Sequence, residues 1–298
     1  MIIERWLLLF LITLADFNTY PAHGSMGCRN NMLHALGDDL RVVWRSRTLV
    51  WVLTRREVAA RHSGTALGIA WPYLQPLLMV AAYYLVFDVV FGMRLGQGAP
   101  TRAVGAFLVV GALPWMAFCD AVSRGMNSLI DAGGLLHKNP LPPVLFVVRA
   151  VLASALIYGP LMLLVALLYV AALGLRPALL ALPMLLALQL LLCVVLAHML
   201  AILAAALRDV VQIVGFLLSV GIYLSPILFP MSLFPERWRW VLWLNPMTAL
   251  VQGYQQVLLQ GAWPALAVWG VCLAWLVALA LALNVLAGRS RDQLVDWL

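Results

Sequence analysis

Residues 144–173 read VLFVVRAVLASALIYGPLMLLVALLYVAAL, and residues 177–206 follow as PALLALPMLLALQLLLCVVLAHMLAILAAA. Each run is Leu, Ala and Val with almost no charge, and each exceeds the roughly 20 apolar helical residues needed to cross a hydrocarbon core. Neither run alternates apolar with polar positions. That points to membrane-spanning α-helices, with backbone polar groups satisfied within the segment, and away from the strands of a membrane barrel.

Working outward, four further stretches have the same character: 67–91, 104–125, 210–231 and 263–286. The fold class expected is therefore all-α integral membrane, with six transmembrane helices. Composition agrees, since 64% of the 298 residues are hydrophobic and 10% charged, against about half and a quarter in a soluble domain. The net charge of +7 is carried by basic residues scattered singly between apolar runs. No basic stripe suited to nucleic acid is formed.

Six crossings put both termini on one side, and the basic residues choose the side. Arg41, Arg45, Arg47, Arg55, Arg56 and Arg61 precede the first span, Lys138 follows the second, and Arg208, Arg289 and Arg291 fall on the same side. Fewer basic residues lie opposite: Arg94, Arg102, Arg176, Arg237 and Arg239. Both termini are expected in the cytoplasm, with the chain in a bacterial inner membrane.

Residues 36–61 mix those arginines with Leu40, Val43, Trp44, Leu49, Val50, Trp51, Leu53 and Val58. They are too charged to span and suit a cytoplasmic interfacial helix whose arginines sit among lipid headgroups. Residues 232–262 are too long for a turn and too polar for a span, so a re-entrant helical hairpin before the last span is expected, dipping in from the outer face where protein or a water-filled cavity covers it. Trp238, Trp240 and Trp243 suit an interfacial aromatic belt, with sugar contact as the other reading. Residues 287–298 are read as a cytoplasmic tail. The start, 1–30, has neither a basic beginning nor a small-residue cleavage site. An over-called start, with Met26 or Met32 as the true beginning, is expected there, or a membrane-lying segment.

The chemistry of a self-sufficient pump is not apparent. A phosphate-cradling loop needs Gly, four residues, then Gly-Lys-Ser/Thr, whereas the only lysine, Lys138, follows Leu135, Leu136 and His137. Ionisable residues within spans would mark ion coupling. Asp88, Asp120 and Arg149 lie near predicted span ends, where snorkelling lowers the cost, and His198 alone sits deep, suited to an interhelical hydrogen bond or a relay. Cys28, Cys119, Cys193 and Cys272 have no metal or disulfide spacing. No metal-ligand cluster or catalytic set is recognised, and the chain is not expected to be an enzyme.

Several stretches, in order, resemble the ABC-2 type permeases that export O-antigen, capsule and teichoic acid polymers. They are Thr54-Arg55-Arg56-Glu57 through Arg61-His62-Ser63-Gly64; Leu67-Gly68-Ile69-Ala70-Trp71-Pro72 and Gln75-Pro76-Leu77-Leu78; Gly111-Ala112-Leu113-Pro114-Trp115 with Phe118; Asn127-Ser128-Leu129-Ile130, Lys138 and Pro142; Arg208-Asp209; Ser225-Pro226-Ile227; and Asn245-Pro246. The resemblance runs from about residue 50 to 265. Glu57 stands where the family usually has Asp, His62 where Tyr is common, and Gln255 where an Arg is expected.

The resemblance implies a homodimer bound to two copies of a separate ABC ATPase subunit, which holds the ATP and Mg, while this chain binds no cofactor. A lipid-linked glycan would pass between the subunits. Coupling to the ATPase is expected at Arg55, Arg56 and Arg61 and at segment 128–143 with Asp131, His137 and Lys138. Headgroup attraction is the competing role for the arginines, and a solvated loop for the segment. The substrate path would draw on Tyr73, Gln75, Tyr83 and Tyr84 in span one, Tyr223 and Ser225 in span five, and Trp238 and Trp240, with interhelical packing the competing role for the residues within the spans. The other readings are an ABC-2 permease for a drug or lipid, and an ion-coupled carrier.

Overall fold

The computed structural model describes residues 35–61, 64, 66–96, 101–136, 141–290 and 293–297. Among them the chain is helical, with one isolated antiparallel bridge, Arg94 to Ala103. In chain order the helices are α1 (Ala35–Arg45), α2 (Arg47–Ala60), α3 (Trp71–Tyr83, prolonged by a wider helical turn over Tyr84–Val90), α4 (Val104–Leu136), α5 (Val144–Leu173), α6 (Ala181–Ala206), α7 (Asp209–Gly221), α8 (Arg239–Leu242), α9 (Met247–Gln255, prolonged over Gln256–Gln260), α10 (Leu266–Ser290) and α11 (Leu294–Trp297).

α4 is the hub. It packs on α5, α6, α7, α9 and the α3 segment, and 67% of its most apolar window is buried, against 6% for the α3 segment. Lipid tails are as apolar as leucine, so helices in a membrane associate through close packing and polar contacts. The α4–α6 seam shows this. A Cβ added to Gly125 would lie 2.6 Å from the Cβ of Ala197, and Ala121, Ala197 and Ala201 are buried beside it. Only glycine lets the two backbones come this near.

The expected interfacial helix is two helices, broken at Ser46. On α2, Val50, Thr54 and Val58 recur every four residues and are buried, the periodicity of one helix face. Val50 packs on Val144, Leu145 and Val148 of α5. Leu40, Trp44 and Trp51 point outward, and the Arg47 guanidinium lies 5.6 Å from the Trp44 ring centroid.

Five segments are long and apolar enough to cross a membrane: Trp71–Val90, Val104–Leu136, Val144–Ala172, Pro177–Ala206 and Leu266–Ser290. The stretch 210–231, expected as a sixth, is helical only over the 13 residues of α7. At about 1.5 Å per residue that is roughly 20 Å, short of a 30 Å core. Beyond Gly221 the chain runs through turns to Pro226 and Pro230, whose rings cannot donate to a continuing helix. α4 departs the other way. It continues from 125 to Leu136, so the first part of the 128–143 segment is an extension of span two, about 50 Å long in all.

Candidate functional site

A charged cleft of about 790 Å³ opens where α2, α4, α5 and α7 meet, at the arginine-rich end of the molecule; its lining includes Glu57, Asp120, Arg124, Asn127, Asp131 and Arg149. Its organising group is Arg61, at the end of α2, whose side chain is 2% exposed. Arg61 Nη1 donates to Asp120 Oδ2 at 2.9 Å, and Nη2 donates to Ser154 Oγ at 3.1 Å and to the Ala150 carbonyl at 3.4 Å. Ser154 Oγ donates to the same carboxylate oxygen of Asp120. Arg124, one turn further along α4, donates from Nε to Asp120 Oδ1 at 2.8 Å. Burial pulls the Arg61 guanidinium below its ordinary value while the Asp120 carboxylate pushes it back. A charge this buried is tolerated only when paired and hydrogen-bonded.

The other ionisable residues read as candidates for ion coupling also have neighbours. Arg149 Nη2 lies 4.0 Å from Glu57 Oε2, and the Arg149 guanidinium sits 5.0 Å from the Phe146 ring centroid. His198 Nδ1 on α6 is 4.0 Å from Asp39 Oδ2 on α1. Asp88 Oδ1 accepts the Gly105 N–H at 3.1 Å, capping the first turn of α4. Among the described residues no three His, Cys, Asp or Glu side chains are grouped to hold a metal ion.

At the opposite end, two sequence motifs twenty residues apart form one knot. Asn245 Nδ2 donates to Ser225 Oγ at 2.6 Å, Ser225 Oγ donates to the Gly221 carbonyl at 2.8 Å, and the Met247 N–H donates to Asn245 Oδ1 at 3.0 Å. Asn245 thus satisfies α7's last carbonyls and an orphan donor in α9's first turn. Buried Tyr254 donates to Gln189 Oε1 at 2.8 Å, and Gln189 Nε2 donates to the Pro114 carbonyl at 2.9 Å, joining α9, α6 and α4. The end of the turn that prolongs α9 is clamped by Arg176 Nη1, which donates to the Gln260 carbonyl at 3.2 Å and lies over Gly261, at φ +65. The left-handed backbone conformation favours glycine there.

The structure divides the residues singled out from sequence. Arg61 is inside the cleft network, whereas Arg55 and Arg56 are exposed on α2. Asp131 is exposed at the cleft, and His137 and Lys138 lie outside the described residues. Gln75, Tyr84 and Tyr223 are exposed; Tyr73 donates to the Leu156 carbonyl at 3.3 Å; and Tyr83 is half-buried. Ser225 is fully buried in the Asn245 knot. Trp238 and Trp240 are exposed between α7 and α9. Asp120, Ser154 and Gln189 organise the two polar centres without being candidate site residues by sequence, since the contacts that join helices are 34 to 93 residues apart; the four-residue spacing of Asp120 and Arg124 is the one local signal.

The family described as ABC-2 type transporter matches residues 48–259. The O-antigen export system permease protein RfbA of Myxococcus xanthus is 31% identical over 249 residues, which is 79% of this chain and 92% of that protein. The protein of the same name from Klebsiella pneumoniae is 23% identical over 218 residues, covering 72% and 81%. The polysialic acid transport protein KpsM of Escherichia coli is 23% identical over 227 residues, covering 72% and 83%.

Proposed function

The chain belongs to the ABC-2 type transporter family, and on that premise we propose that it is the membrane subunit of an ATP-driven exporter moving a lipid-linked surface polysaccharide across the inner membrane. The carrying observation is the similarity that spans 92% of an O-antigen export permease, with a capsule transport protein among the other relatives. ATP and Mg reside on a separate ATPase chain, two copies of which bind the arginine-rich, cytoplasmic end. Exposed Arg55, Arg56 and Asp131, with His137 and Lys138, form the docking surface, and Trp44 and Leu40 seat α1 among lipid headgroups.

The working unit is a homodimer. The α3 segment is only 6% buried, and with Tyr84 and Gln75 on its surface it is too polar to meet lipid on every side. A second copy covers the remainder, leaving Tyr73, Gln75, Tyr83, Tyr84 and Tyr223 along a path between subunits, where rings stack on sugar faces. The sixth crossing is completed by α7 and the turns that follow, because non-helical backbone is tolerated at membrane depth when protein covers it, and Ser225, Pro226 and Ile227 are buried. Segment 232–262 is then a re-entrant hairpin from the outer face. When ATP closes the partner chains, the force enters along α4 and through the Arg61–Asp120 clamp, and the subunits move as rigid bodies.

Deleting the gene and probing the cell surface with lectin or antibody tests the cargo. Loss of surface polysaccharide, restored by the wild-type gene on a plasmid, is expected. An unchanged surface would contradict the assignment.

A further inference from the structure

Between the hairpin's first loop and α9 lies a second polar cavity of about 190 Å³, lined by Met231, Ser232 and the amides of Gln252, Gln255, Gln256 and Gln260. Four glutamines converge on one small space without a charged residue among its lining. Two are anchored from outside it. Gln255 Nε2 donates to the Pro226 carbonyl at 2.7 Å, and Gln256 Oε1 accepts the Ala265 N–H at 2.9 Å. Gln252 is half-buried beside Met231 on the cavity wall. Gln252 and Gln256 are half-buried and Gln260 is exposed, so amide groups of the cluster open to solvent. The lining is therefore a set of donors and acceptors on a fixed frame.

The frame itself is unusual. Gln256–Gln260 form a widened helical turn continuing α9, a distortion concentrated at functional sites. The Phe229 and Phe234 rings stack at 5.5 Å across the loop carrying Met231 and Ser232, fixing its bend. Neutral amides provide donor and acceptor together, as hydroxyl pairs require, whereas a phosphate or carboxylate ligand calls for arginine or lysine.

We propose that this glutamine pocket is a binding site for a neutral, hydroxyl-rich sugar residue, whose hydroxyl groups hydrogen-bond to the side-chain amides of Gln252 and Gln256. The proposal rests on the export reading and adds where, and by what chemistry, the hairpin touches the glycan.

The test uses the full chain with its ATPase in nanodiscs and, as probe, the lipid-free glycan released by mild acid from the source cell's surface polysaccharide. Saturation-transfer NMR reports contact to ring protons. Wild type is expected to bind. Gln252→Leu/Gln256→Leu, which leaves the Gln255 anchor in place, should weaken binding about tenfold or more through two lost hydrogen bonds. Gln212→Leu, an exposed amide on α7, should bind like wild type. The pocket assignment is overturned if the double variant binds as wild type does, or if wild type transfers no saturation to the glycan. The gene deletion separates the two readings: a deleted strain that loses its surface polysaccharide keeps the export reading even if the pocket fails.

Discussion

The Arg61 side chain carries a full charge in a protein interior, and its burial is offset by Asp120, Ser154 and the Ala150 carbonyl acting together. Asp120→Ala would strand that guanidinium, at a cost of about 3–5 kcal/mol, while Arg124→Ala, which removes a half-exposed partner from the same carboxylate, should cost less than about 1 kcal/mol. Thermal unfolding followed by tryptophan fluorescence in detergent would rank the two, and equal losses would show that Arg61 does not depend on Asp120. Asn245→Ala should cost about 1–3 kcal/mol by freeing the Ser225 hydroxyl and the Met247 N–H; a melting temperature within error of wild type would mean the knot is not structural. Sequence reading reached the members of these networks unevenly. Asp120 looked like a residue near a span end whose charge could snorkel, because its partner Arg61 is 59 positions away and no local spacing reports a contact that distant. Ser225 and Asn245 were noticed as family motifs, yet nothing in either motif says that one side chain binds the other.

At the scale of the element, hydropathy located lipid-crossing segments better than helix ends. Spans 144–173 and 177–206 stand as read, since lipid contact and helical backbone end together there. On α4 they do not. Asn127, Ser128 and Asp131 are too polar for lipid, but a helix in water or against α5 needs no apolar run, so the backbone continues to Leu136. α7 shows the reverse case: the apolar composition of 210–231 persists while the regular helix stops at Gly221. Packing between elements was invisible in the sequence, and Gly125 is the clearest example. Gly125→Leu should destabilise the α4–α6 seam by about 1–3 kcal/mol or more, because its Cβ would meet that of Ala197 at 2.6 Å. Adding Ala197→Gly to Gly125→Ala should recover part of the smaller variant's loss. A double-mutant cycle in melting temperature with no coupling would argue against the close approach.

For the molecule as a whole, α3 is sparsely covered, with 6% of its apolar window buried, and the proposed homodimer would cover it. Light scattering of the detergent-solubilised chain, corrected for bound detergent, should give the mass of two copies, and a monomer under several mild detergents would remove the proposed path between subunits. The central claim is dependence on a separate ATPase, and co-purification tests it most directly. A tagged chain extracted gently from its source cell should bring an ATP-hydrolysing polypeptide at equal stoichiometry, and charge reversal at Arg55, Arg56 and Asp131 should reduce that yield. Recovery of the chain alone, in every mild detergent tried, would contradict ATP-driven export and redirect attention to His198 and ion coupling.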